Sequence, residues 1–282
     1  MQPGIYAEIK RRGGKADLSA RARFELTGAD RVRFLNGQVS SDVRRLSAGC
    51  AQYACVLTAK GKMSGDVFIT AEADRLLLDA DASLRESLAA RLERYIISDD
   101  VTLRDITDET ALIHIFGLPE AAGVRSRRFG ADGFDLLMPV ENFPRAWKAL
   151  APPAANEELL EVLRVEAGLP RWGRELTEET LPVEAGLDKT AIDYDKGCYI
   201  GQEIISRLKS VGHVNKQLSG FVSASPLEPG ARLQAPDGRE AGWLTSAVYS
   251  FGLEKYAALG YLKRGVALGA CQVEARELPL IP

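Results

Sequence analysis

Lys196-Gly197-Cys198-Tyr199-Ile200-Gly201-Gln202-Glu203 sets a cysteine between two glycines, beside a lysine and just ahead of an apolar-periodic run. Glycine lets a chain turn sharply and pass close to other groups. Ile204, Ile205 and Leu208 then fall on one face of a helix beginning near Gly201. Cys198 is placed near that helix's N-terminus, where the positive end of the dipole and the ammonium of Lys196 both favour thiolate over thiol. The competing reading is a small thiol packed in a turn, since free cysteine is among the most buried residue types. Tyr199, Gln202 and Glu203 either orient Cys198 or cap and pack the helix, and the first-turn positions of Gln202 and Glu203 favour capping.

Working outward, Asn156 to Val165 reads as a helix capped by Asn156, opened by Glu157 and Glu158 and ended by Gly168 and Pro170, with Glu166 at its close. Asp30 to Asn36 reads as a short helix with Gly37 as its stop. Tyr53 to Leu57, Met63 to Thr70 and Leu76 to Asp79 are apolar, partly β-branched runs separated by turn chemistry, so they are expected to form a meander. Ser83-Leu84-Arg85-Glu86 has capping-box spacing, and Leu84, Leu88, Leu92 and Tyr95 make one helical stripe. Val101 to Ile106, Leu112 to Phe116 and Phe134 to Met138 return to strand. Helices packed on an antiparallel or mixed sheet give an α+β class. Past His213 the runs are short and broken by Pro226, Pro229-Gly230 and Asp237-Gly238, which suggests a small barrel.

A chain of 282 residues with 46% hydrophobic content can bury a large core and is long for one domain. Cys50, Cys55, Cys198 and Cys271 show no metal-type pairing, and His114 and His213 are the only histidines, so no resident metal site is expected. No secretory leader or membrane span is legible, and reduced thiols in the cytoplasm are expected. The net charge of −3 argues against a nucleic-acid binder, and Lys10-Arg11-Arg12 and Arg125-Ser126-Arg127-Arg128 lack interleaved aromatics to stack bases. Direct nucleic-acid binding is not expected.

The cysteine octapeptide resembles the signature of the YgfZ-type folate-binding proteins, relatives of the glycine-cleavage T-protein. Gly28 to Val43, Thr58-Ala59-Lys60-Gly61-Lys62-Met63 and Arg164-Val165-Glu166-Ala167-Gly168-Leu169-Pro170 resemble successive landmarks of the same superfamily, in the same order. The resemblance implies a folate-binding region over residues 1–212, with a ferredoxin-like subdomain over about 48–120, and a C-terminal antiparallel β-barrel over 213–282, arranged around a central channel. It also implies tetrahydrofolate or a one-carbon derivative as the ligand.

A pterin edge presents adjacent N–H donors that a carboxylate can accept as a pair. The resemblance assigns that part to Glu166. It maps a family asparagine onto Asp79, which is a departure, because aspartate adds a charge and loses the amide donor. A cation for the folate's glutamate tail is offered by Arg207 or Lys209. In the T-protein pattern an aspartate activates the folate nitrogen, but Gly61-Lys62-Met63-Ser64-Gly65-Asp66 puts Gly65 at that position and Asp66 at the second, structural one. Two functions follow from the resemblance. One is a tetrahydrofolate-binding accessory protein for iron–sulfur cluster assembly or repair in client enzymes, tRNA-modifying ones included, with Cys198 as its reactive thiol and Lys196 poising it. The alternative is a folate-dependent one-carbon transferase or demethylase of the aminomethyltransferase type, which Gly65 counts against and which an aspartate, asparagine or histidine placed over the folate nitrogen from another part of the chain would restore.

Overall fold

In the computed structural model, residues 3–268 and 273–280 are described, and Cys271 lies outside them. In chain order the elements are α1 (Pro3–Arg12), β1 (Gly14–Asp17), β2 (Ala22–Thr27), α2 (Arg31–Gln38), β3 (Ala51–Leu57), β4 (Met63–Ala71), β5 (Leu76–Ala80) and α3 (Arg85–Glu93). They continue through β6 (Thr102–Asp105), β7 (Thr110–Phe116), β8 (Val124–Arg128), β9 (Ala131–Pro139), α4 (Phe143–Ala149) and α5 (Glu157–Glu166). The last are α6 (Gln202–Val211), β10 (Lys216–Ser223), β11 (Arg232–Gln234), β12 (Glu240–Ser250), β13 (Lys255–Lys263) and β14 (Glu274–Arg276).

Three antiparallel sheets organise these elements. The first has the order β3-β4-β5-β2-β6 and buries one face under α2 and α3. Alternation decides that face: Ala54 and Val56, Val67 and Ile69, Leu78 and Ala80, and Phe24 and Leu26 all meet Phe34, Leu35, Leu84, Leu88 and Leu92. The second, β1-β7-β9-β8, carries α1 and α5 on Leu112, Phe116 and Ala16. The third, β11-β12-β13-β10-β14, packs Leu218, Val222 and Leu259 against Val165 of α5. Its other face holds a second cluster around Phe221, Leu233 and Leu244.

Several expectations are revised. Among the described residues, the region over 213–282 expected as a barrel forms a five-stranded antiparallel sheet with β11 and β14 at its ends. The expected subdomain over 48–120 is divided between two sheets, because β2 inserts between β5 and β6 while β7 pairs with β1 and β9. α2 runs through Gly37 to Gln38. The cap before α3 is Asp81, whose side chain accepts from the Ser83 N–H and holds a 3-10 turn over Ala82–Leu84. Tyr95 falls beyond α3 and is exposed. Asn156 caps α5 by accepting from the Leu159 N–H at 3.0 Å, as its position predicts. Among the described residues, no helix is long and apolar enough to cross a membrane.

Candidate functional site

The first sheet's other face is polar at its centre. Cross-strand register aligns Tyr53 with Phe68, Phe68 with Asp79, and Asp79 with Arg23, so one row crosses β3, β4, β5 and β2. Two residues before Phe68, Asp66 lies on the same face, and the Tyr53 hydroxyl donates to its Oδ2 at 2.9 Å. Asp66 is 8% exposed and its Oδ1 has no hydrogen-bond partner. Burial pushes its carboxyl above the usual range, against the opposing pull of Arg21 and Tyr53. A Cβ on Gly65 would meet Leu84 at 3.2 Å, on the face covered by the helices. The position read as catalytic therefore faces the core, and Asp66, read as structural, is the carboxyl on the polar face. A register shift between Val56 and Leu57 opposite Met63 and Gly65 marks a bulge at the start of this stretch.

Each oxygen of Asp79 is held by an arginine. Arg21 Nε donates to its Oδ1 at 2.7 Å and Arg128 donates to its Oδ2 at 2.5 Å. Arg128 also donates to Asp135 Oδ2 at 2.8 Å and lies 3.8 Å from the centre of the Phe68 ring. His114 Nδ1 lies 2.8 Å from Asp135, and burial holds this imidazole below its usual range, so the neutral ring donates to the carboxylate. Burial would raise the Asp135 carboxyl, but Arg128 and His114 more than offset that and hold it well below the usual range. The network ties the first sheet to the second. Beside it, a cavity of about 170 Å³ is lined by Phe68, Leu77, Asp79, Leu112, Arg128 and Leu137. That is room for one small ring, close to a cavity of about 150 Å³ known to hold benzene.

Glu166 closes α5 and is 2% exposed. Tyr6 donates to both its oxygens, at 2.9 and 3.1 Å, and Ser250 donates to Oε1 at 2.6 Å. The misfit between a carboxylate and a helix C-terminus is thus met by two hydroxyls from α1 and β12. A Cβ on Gly130, two residues past Arg128, would meet that of Ala167, the neighbour of Glu166, at 2.3 Å.

The cysteine loop is built differently from the expectation. Lys196 is buried, and its ammonium donates to the carbonyls of Asn36, Val39 and Ser41 at 2.7–2.8 Å. Its three N–H groups are all engaged, so it clamps the end of α2 and leaves no donor for the neighbouring thiol. Burial pushes this ammonium down to about 8, with Asp42 and Asp193 opposing. Cys198 is exposed and precedes α6, whose N-cap is Gly201. Gly201 has φ +87°, and a Cβ there would meet the Thr58 carbonyl oxygen at 2.6 Å, so the loop seats on the β3–β4 hairpin through glycine contacts. Tyr199 and Ile205 pack with Cys55, Leu57 and Met63. Gln202 and Glu203 occupy the first turn of α6, and Arg207 lies exposed further along it. Lys209 lies 4.0 Å from the Tyr194 ring centre.

The structure therefore brings Asp66 and Asp79 onto one face, while Glu166 accepts from Tyr6 and Ser250, Arg207 lies exposed on α6, and the Cys198 loop reaches Tyr53 and Cys55 through Tyr199. Tyr53, Phe68, Arg21 and Arg128 complete that face and were missed in the sequence. Arg128 stood in a run read as basic surface, yet Ser126 and Arg128 are buried while Arg125 and Arg127 are exposed. That strand alternation was the available signal.

The chain matches the GCVT N-terminal domain family over residues 6–130. It is 30% identical over 248 residues to an aminomethyltransferase of Anoxybacillus flavithermus, covering 73% of this chain and 67% of that one. An aminomethyltransferase of Rubrobacter xylanophilus is 29% identical over 98% of this chain and 84% of its own length. A putative chloroplastic transferase of Arabidopsis thaliana is also 29% identical, and the chain spans 65% of its length. The crystal structure of glycine cleavage system aminomethyltransferase T from Bartonella henselae superposes with a TM-score of 0.86 at 20% identity, over 99% of this chain and 89% of that one. At that identity the likeness speaks for the fold.

Proposed function

The chain belongs to the glycine-cleavage T-protein (GcvT) family, and from that membership we propose that it binds tetrahydrofolate and moves a one-carbon unit between the folate and an amine. The observation that carries this reading is Asp66, a buried carboxyl with one oxygen held by Tyr53 and the other without a partner. An unpaired buried acceptor is costly unless a ligand's N–H completes it. Burial raises the pH at which this carboxyl loses its proton, which suits it to proton exchange with a bound amine. Asp66 thus supplies the acid–base group that Gly65 lacks. The cavity beside Phe68 holds one small ring, so a whole folate would use the open polar face beyond it. Tetrahydrofolate supplies the one-carbon carrier when bound, while Tyr53 orients Asp66 and the Arg128 pair fixes Asp79.

A second reading is favoured by the exposed thiol of Cys198, presented on a loop seated against the β3–β4 hairpin. In it the protein binds folate and offers Cys198 to iron–sulfur client or assembly proteins. Among the described residues no group of three or more metal-ligating side chains gathers, so any cluster would be shared with the client.

Calorimetric titration with tetrahydrofolate under anaerobic conditions tests the proposal. Wild type is expected to bind, Asp66→Asn to bind about tenfold or more weakly, and Cys198→Ala to be unchanged. Absence of binding by wild type would overturn the folate assignment, and unchanged binding in Asp66→Asn would remove Asp66 from the site.

A further inference from the structure

Two groups on the polar face are left over by the pairings above. Arg21 commits Nε to Asp79 at 2.7 Å, and its two terminal nitrogens have no partner among the described residues, with the side chain 22% exposed. Asp66 Oδ1 is likewise unpartnered, on a side chain more than nine-tenths buried. Arg21 is the cation that acts most strongly on Asp66, yet no ion pair within 4.0 Å joins them. A guanidinium and a carboxyl that share a face would ordinarily close onto each other, because an unpaired buried charge is unfavourable. Asp79 prevents this by anchoring the Nε edge of Arg21, which leaves the far edge of the fork presented. That edge matches a carboxylate in bidentate geometry. The free oxygen of Asp66 matches an amine N–H.

We propose that this face carries a binding site for a free zwitterionic amino acid, its carboxylate held by the terminal nitrogens of Arg21 and its amine by one lone pair of Asp66 Oδ1, the other being left for the folate N–H. The site itself rests on the two unpartnered groups; its role as the amine side of a one-carbon exchange rests on the folate reading. A donor tethered to a carrier and lacking a free carboxylate would leave Arg21 unpaired, so the arrangement selects for the free amino acid. Phe68, with Arg128 stacked on it, stands beside Asp66 as an apolar wall for the ligand's side chain.

Calorimetry of the full chain with L-alanine as probe, alongside propionate and ethylamine as half-ligands, tests this without folate present. L-Alanine is expected to bind at least tenfold more tightly than either half-ligand, since each leaves one partner unsatisfied. Arg21→Met is expected to lower that affinity about tenfold or more with tetrahydrofolate affinity unchanged, at some loss of thermal stability because Asp79 loses one of its two arginines, and Arg21→Lys to recover part of the alanine affinity. No L-alanine binding at millimolar concentration, or equal affinity in Arg21→Met, overturns the proposal. Should Arg21→Met not fold, the half-ligand pattern in wild type and Arg21→Lys decides. Tetrahydrofolate binding without alanine binding would sink this site and leave the folate reading standing; alanine binding without tetrahydrofolate binding would do the reverse.

Discussion

Asp79 stands where the resemblance expects an asparagine, and its extra charge is absorbed within one hydrogen-bond length by Arg21 and Arg128. Each of its oxygens accepts from one arginine, so it serves as an anchor for the two. Arg128 in turn neutralises Asp135, so removing it would strand carboxylates in the interior. Arg128→Met, which keeps the stem's bulk, is expected to cost about 3–5 kcal/mol, read from urea unfolding. A loss near zero would mean that the pair is solvated in solution and does not join the two sheets.

At the scale of elements, the cysteine loop and α2 form one unit through Lys196. Lys196→Met leaves three carbonyls of the α2 terminus without a donor and is expected to cost about 1–3 kcal/mol, with faster amide exchange at residues 195–201. The folded ammonium titrates at about 8, below roughly 10.4 in an unfolded chain. Between those values the unfolded chain holds more protons, so this group makes stability rise with pH across the window and contributes a constant penalty below it. Urea midpoints compared at about pH 7.5 and pH 9.5 should show that rise in wild type and a flatter response in Lys196→Met. The elements themselves were largely legible where one local signal dominates, as in the Asn156 cap and the alternating runs of β3, β4 and β5. α2 passes through Gly37 because Phe34 and Leu35 bury under the sheet and tertiary packing outweighs the stop signal. Register across strands is a long-range property, so the side of the sheet that Gly65 and Asp66 each face was not readable from spacing.

At the scale of the whole molecule, the second and third sheets meet along α5, while the Asp79–Arg128–Asp135–His114 network joins the first to the second. The family's sequence landmarks fall at these junctions: the Thr58–Met63 hairpin under Gly201, the Asn36–Ser41 carbonyls on Lys196, and Ala167 against Gly130. Motif order could imply that assembly, whereas the partners Tyr6, Ser250, Tyr53 and Arg21 come from distant segments with no motif to announce them. The account's central claim is that Asp66 is the ligand-facing carboxyl of this assembly. Carbon-13 NMR titration of the aspartate carboxyls, with Asp66 assigned by its absence in Asp66→Asn, measures it directly. A midpoint above the ordinary value of about 3.9, displaced again when tetrahydrofolate is added, is the predicted result; an ordinary midpoint that ignores tetrahydrofolate would contradict it.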